Sequence, residues 1–118
     1  MVIIFVQSSL PAIELPPVDI IGTDKLIHVG VYGLLAALCY ISLIHVTKEN
    51  VFTRSPVLWT AIIVILYGAS DEYHQSFVIF RSAEVLDWVA DAAGAIIMVV
   101  LIKYYLQNKY RLFGRLEK

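Results

Sequence analysis

Three pairs of polar residues share one spacing of four positions: Asp24 with His28, Asp71 with Gln75, and Asp87 with Asp91. On an α-helix, residues i and i+4 project from the same face, so each pair offers two polar groups in one direction. Lys25 adjoins the first pair, Glu72 and His74 fall within the second, and Tyr32 and Tyr67 extend the same faces by a turn. Several carboxylates in one place cannot all stay ionised without cations; mutual repulsion raises at least one carboxylate pKa and favours protonated histidine, the setting in which general acids and bases arise. A divalent cation is the competing way to settle such a set, but no tight signature such as His-Glu-x-x-His is present, and neither a metal nor a cofactor is expected.

Apolar stretches must position these pairs. Residues 26–46 form a run of 21 broken only by two histidines, a serine and two tyrosines, enough to cross a ~30 Å hydrocarbon core. Residues 57–70 are apolar and extend as helix through 71–75, crossing if that polar end sits at the interface. Residues 88–106 form a third run, opened by Asp87 and closed by Lys103, Tyr104 and Tyr105. The expected architecture is therefore all-α, a single polytopic membrane domain over 1–118, with helices at 24–46, 57–75 and 87–106 as three full spans. Residues 1–6 resemble the last turns of a helix but cover only about 9 Å, so 1–23 is expected to be a partial first helix and a linker stiffened by Pro11, Pro16 and Pro17. Thr23 is a candidate N-cap, 47–56 a short polar connection ending in proline, and 107–118 a basic tail. No cleavable signal peptide is visible, since 1–6 has no positive n-region.

Composition agrees with lipid as solvent. The chain is 59% hydrophobic and 16% charged, against roughly 25% charged in soluble domains, and its mean hydropathy is +0.76. Net charge is −1, which gives nucleic acid nothing to bind. Charge is segregated instead: Lys48, Arg54, Lys103, Lys109, Arg111, Arg115 and Lys118 share one side of the expected bundle, and by the positive-inside rule that side, with the C-terminus, is cytoplasmic. Glu14, Asp19, Asp24, Asp71, Glu72, Glu84, Asp87 and Asp91 fall on the other side with Lys25 and Arg81. A charge facing lipid at a helix centre costs ~2.5–3.5 kcal/mol on insertion scales, so the polar faces are expected to turn inward and share a pocket.

Simpler roles account for part of this set. Asp87 suits an N-cap and Asp24 a first-turn position favoured by the helix dipole, whereas His28, Glu72 and Asp91 have no such explanation if they face inward. Arg81 suits either snorkelling from an interfacial loop at 76–86 or receiving an anionic headgroup. His45 is incidental, the single Cys39 is packing, Gly33-x-x-x-Ala37 and Ala90-x-x-x-Gly94 permit close helix contact, and Trp59, Trp88, Tyr104 and Tyr105 read as interfacial anchors.

Taken in order, Ser8-Ser9-x-Pro11, Asp24-Lys25-x-x-His28-x-x-x-Tyr32, Tyr67-Gly68-x-x-Asp71-Glu72-x-x-Gln75-x-Phe77, Arg81 and Asp87-x-x-x-Asp91-x-x-Gly94 make a pattern that resembles the VanZ-like family from about Ile4 to Gly94. The resemblance implies a small integral membrane protein of the bacterial cell envelope, in the cytoplasmic membrane; the family is named for a member associated with low-level teicoplanin resistance and has no settled biochemical activity. Three departures stand out. Relatives begin with a complete first transmembrane helix ahead of the Ser-Ser motif, a Pro-Gly turn commonly precedes Arg81 where Ile79 and Phe80 stand here, and a glycine often follows where this chain has Met98.

Three functions fit these residues. In the first, a polar pocket of Asp24, Lys25, His28, Tyr32, Tyr67, Asp71, Glu72, Gln75, Arg81, Asp87 and Asp91 binds a lipid headgroup, a cell-wall precursor or a glycopeptide. In the second, an intramembrane enzyme acts on a lipid-linked substrate, with His28 or Glu72 as general base and Asp71 or Asp91 orienting it, although no nucleophile motif is present. In the third, the cluster is an ion-pair lock and function lies in partners. Membrane lipids are the expected surroundings, and a groove left by a short first helix could be filled by a second copy of the chain.

Overall fold

A backbone in contact with lipid has to satisfy its own N–H and C=O groups, and a helix does so within a single segment. The computed structural model describes residues 1–9, 23–78 and 84–116, with the side chains of 23–24 and 110–116 left aside. In chain order they form α1 (Val2–Ser8), α2 (Thr23–His45), α3 (Val51–Arg54), α4 (Pro56–Gln75) and α5 (Val85–Leu116), and no strand occurs among the described residues. The proline linker and the loop that carries Arg81 lie outside them.

Local chemistry sets several boundaries. Pro56 occupies the first position of α4, where a missing N–H costs nothing. The polar break before it holds one turn of helix, α3, closed by a capping box: Asn50 Oδ1 accepts from the N–H groups of Phe52 and Thr53, and the Thr53 hydroxyl accepts from Asn50 N–H at 2.9 Å. The last helix departs from the sequence expectation most. It starts at Val85, so Asp87 sits in its first turn rather than capping it, and it continues to Leu116, past residue 106 where a tail was expected. Polar composition ends a membrane span without ending a helix, and no proline interrupts 107–116.

Two segments are long and apolar enough to cross a membrane, Lys25–His45 with 21 residues and Val85–Lys109 with 25. Most of each faces outward, unlike the core helix of a soluble protein. The three full spans expected are thus reduced to two by length and composition, because α4 gives its last turn and a half to Asp71, Glu72, His74 and Gln75.

α2 lies along α5 in parallel, α4 runs antiparallel to both, and α1 rests on α4. The shared core is narrow: Tyr32, Ala36 and Tyr40 from α2, Val64 from α4, and Ala95 and Val99 from α5, each set spaced by one turn. Leu34, Leu38, Leu58, Leu66, Ile97 and Leu101 point outward. With apolar groups on both sides of each helix, association rests on close fit and on polar contacts between helices. The fit is tightest at Gly94, where a Cβ would overlap the backbone of Val29, while Gly33 faces the Gly94 carbonyl with room for 3.3 Å. Trp88, read from sequence as an interfacial anchor, instead donates its indole N–H to the Ile65 carbonyl at 3.1 Å and ties α5 to α4.

Gly94→Ala should push α2 and α5 apart and cost ~1–3 kcal/mol of unfolding free energy in detergent micelles. Gly30→Ala, whose Cβ meets nothing within 4 Å, should leave stability unchanged or raised, which thermal melts followed by circular dichroism would read.

Candidate functional site

The parallel register of α2 and α5 places matching turns side by side at one rim. Lys25 donates to Asp87 Oδ1 at 2.9 Å and to Glu84 Oε2 at 3.2 Å, and one turn deeper His28 Nδ1 meets Asp91 Oδ1 at 2.8 Å. His28 Nε2 lies 4.0 Å from Asp87 Oδ2, so the histidine sits between both acids of the Asp87–Asp91 pair. The Lys25 contacts are partly exposed and are worth at most about 1 kcal/mol each. Asp91 is buried, and its bond to His28 is the stronger tie between these helices.

α4 brings two acids from its last turns. Asp71 is buried where α1, α2 and α4 meet, and three side chains donate to it: Ser8 Oγ at 2.6 Å, Tyr32 OH at 3.1 Å and Gln75 Nε2 at 3.0 Å. Both oxygens of this buried carboxyl therefore have hydrogen-bond donors. Glu72, also buried, faces α5 instead. Its Oε2 accepts from the Glu84 backbone N–H at 3.1 Å, while Oε1 has no partner among the described residues. Burial pushes the Glu72 carboxyl above the ordinary carboxylate range, and the Glu84 N–H pulls it partly back. Asp91 Oδ2 is likewise buried without a partner among the described residues. It points at α4, for a Cβ on Gly68 would stand 3.1 Å from it.

Two hollows reach this rim. A cleft of about 60 Å³ lies between α1 and α2, with Gln7, Ser8, His28, Tyr32, Asp71 and Gln75 in its wall. A wider groove of about 330 Å³ runs between α4 and the start of α5, its walls mostly apolar at Ala69, Tyr73, Val85 and Trp88, with the Glu72 and Glu84 side chains along it. Glu72 therefore lies between the groove and the His28–Asp91 pair.

Of the residues singled out from sequence, Lys25, His28, Tyr32, Asp71, Glu72, Gln75, Asp87 and Asp91 meet at this one rim. Tyr67 does not bond with them; its hydroxyl donates to the Met1 carbonyl at 2.7 Å and fastens α1 to α4. The Asp24 side chain and Arg81 lie outside the described residues. Sequence reasoning gave no role to Ser8, which completes the Asp71 site, nor to Ser9, which pairs with His74 at 3.0 Å, nor to Glu84. The Ser-Ser step at the end of an apolar run was the available signal.

A histidine held by a buried carboxylate is an arrangement that acid–base chemistry uses, and the hydrogen bonds of the described residues give His28 no serine or cysteine to activate. A model of the VanZ/LLP1 family matches residues 2–107. No curated protein and no solved structure matches the chain.

Because Asp71 is answered by three donors, Asp71→Leu should leave them unpaired and cost ~2–4 kcal/mol, more than Ser8→Ala at ~1–2 kcal/mol. Chemical unfolding in micelles gives the ranking; equal losses would mean that the three donors do not act through Asp71.

Proposed function

The chain belongs to the VanZ/LLP1 family, and from that premise we propose that it is a multi-pass protein of the bacterial cytoplasmic membrane which binds the polar headgroup of a membrane amphiphile at the extracytoplasmic rim. In this reading α2 and α5 cross fully, and α4 crosses with its apolar part while Asp71–Gln75 sits in the interface. Lys48, Arg54, Lys103 and Lys109 then lie on the cytoplasmic side with the C-terminus.

One observation carries the reading: the groove of about 330 Å³, apolar along its walls and bordered by the Glu72 and Glu84 carboxylates, opens beside the polar cluster. An amphiphile has the two halves that such a groove accepts, an apolar body against Tyr73, Val85 and Trp88 and a polar head toward Glu72. Lipid headgroups and lipid-linked cell-wall precursors both have this form. A protein that holds such a molecule at the membrane surface alters what a glycopeptide antibiotic can reach, which is how a resistance role of the teicoplanin type would follow.

The full chain extracted with its surrounding membrane into polymer nanodiscs should carry a lipid species enriched over the bulk membrane, read by untargeted mass spectrometry. Ala69→Phe, which fills the groove, and Glu72→Ala should each reduce that enrichment roughly tenfold, the worth of one good polar or packing contact. A lipid profile equal to bulk in the wild type would overturn the binding reading. A lipid species that is chemically new, present only in membranes containing the chain, would favour the acid–base enzyme over it.

A further inference from the structure

His28, Glu72 and Asp91 come from three different helices, yet one donor atom from each lies within 4.8 Å of the other two. The two carboxylates are desolvated, Glu72 at 7% exposure and Asp91 at 1%. Among the described residues each is only half satisfied: Glu72 Oε2 and Asp91 Oδ1 have hydrogen bonds, whereas Glu72 Oε1 and Asp91 Oδ2 are buried with none. Leaving a buried acceptor unmade costs more than a typical hydrogen bond contributes, more still for a charged group, so two such oxygens on acids of one cluster call for a cation or a proton. Their orientation is not accidental crowding at a helix end. Asp91 Oδ2 is aimed across the interface at Gly68, one turn before Glu72 on the same face of α4, and the glycine leaves the space open that a Cβ would enter at 3.1 Å.

The geometry points to a divalent cation site formed by one nitrogen of His28 and one carboxylate oxygen each of Glu72 and Asp91. One imidazole and two carboxylates suit Zn²⁺ among the common biological cations: the nitrogen disfavours Mg²⁺ and Ca²⁺, which take oxygen, and three protein donors leave a fourth tetrahedral position open. Lys25 is engaged with Asp87 and Glu84 and does not fill this role. By contrast Asp71, the other buried acid of the rim, has donors on both oxygens and needs no cation. The site stands on its own donors and does not depend on the headgroup reading.

The test uses the purified full chain in detergent micelles, stripped of metal with a chelator and given Zn²⁺ alone, with no lipid added, so that it reads the cation apart from any amphiphile. Isothermal titration calorimetry should show one saturable Zn²⁺ per chain, and Co²⁺ in its place should give the visible absorption of a four-coordinate ion. Glu72→Gln and Asp91→Asn should each weaken Zn²⁺ binding by roughly tenfold or more, as even outer-shell changes do, while Glu49→Gln, an exposed acid at the far end of the bundle, should not. If Asp91→Asn does not fold by circular dichroism, Glu72→Gln decides alone. No saturable Zn²⁺ binding to the wild type, or binding that survives Glu72→Gln, overturns the site and leaves a proton shared between the two carboxyls as the way the pair is settled.

Discussion

A carboxylate withdrawn from water has to be answered from within the protein, and the rim of this bundle is arranged around three of them. Asp71 is answered in full, by a serine, a tyrosine and a glutamine that reach it from three helices. Asp91 is answered on one oxygen by His28, and Glu72 on one oxygen by a backbone N–H. This graded satisfaction separates roles among residues of one chemical type. A fully bonded acid fixes the positions of the helices that supply its donors; half-bonded acids keep capacity for something else. Interhelical polar contacts of this kind are worth ~0.6–2 kcal/mol each in membranes, so the Asp71 site adds to the docking of α1 beside the packing of Ile4 against the core.

The second requirement is close approach. His28 and Asp91 can meet because α2 and α5 touch backbone to backbone one turn deeper, with Gly94 against Val29 and Gly33 against Gly94. The parallel register that follows sets Lys25 opposite Asp87 and His28 opposite Asp91. α4 enters antiparallel, so its C-terminal turns arrive at the same rim where α2 and α5 begin. Gly68 continues the logic on α4: the missing side chain lets Asp91 and Tyr32 come up to that helix, placing Asp91 within reach of Glu72. Small residues thus do for the polar cluster what they do for helix pairing in general, and the two functions are inseparable here.

Much of this was legible in the sequence because lipid imposes simple rules. The apolar runs on α2 and α5 read directly as helices able to cross, and spacing by four put the acid pairs on single faces. The cost of exposing charge to lipid predicted that Asp24, Lys25, His28, Asp71, Glu72, His74, Arg81, Asp87 and Asp91 would turn toward one another; Lys25, His28, Asp71, Glu72, Asp87 and Asp91 meet at one rim, His74 pairs with Ser9, and the Asp24 side chain and Arg81 lie outside the described residues. What was not legible depended on pairings between helices. Nothing in the local sequence says that Ser8 finds Asp71 across sixty-three positions, or that Tyr67 turns to the Met1 carbonyl instead of joining the cluster. The end of α5 was missed for a different reason: hydropathy marks where a helix leaves the membrane, while the backbone of 107–116 has no cause to stop. Asp87 looked like a cap because the true start of α5, at Val85, is set by the Glu84 carbonyl accepting from Asp87 N–H, a contact without a strong residue signature.

The position of Glu72 connects the two proposals physically. Among the described residues it is the one acid that borders the open groove with part of its side chain while lying within 4.8 Å of the His28–Asp91 pair. A cation held by these three residues would neutralise much of the negative charge at the rim, and a tetrahedral ion with three protein donors has one position left for a ligand. Without that ion, the described rim carries Asp71, Glu72, Glu84, Asp87 and Asp91 against Lys25 and His28, a field that repels anionic headgroups and attracts amines. Occupancy at His28, Glu72 and Asp91 would therefore weaken the preference for a cationic head, and the open position on the ion would give a phosphate oxygen a place to bind. On the two proposals together, the head charge that the groove favours would be tied to the state of the neighbouring His28–Glu72–Asp91 site, through Coulombic interaction across a few ångströms of low-dielectric interior.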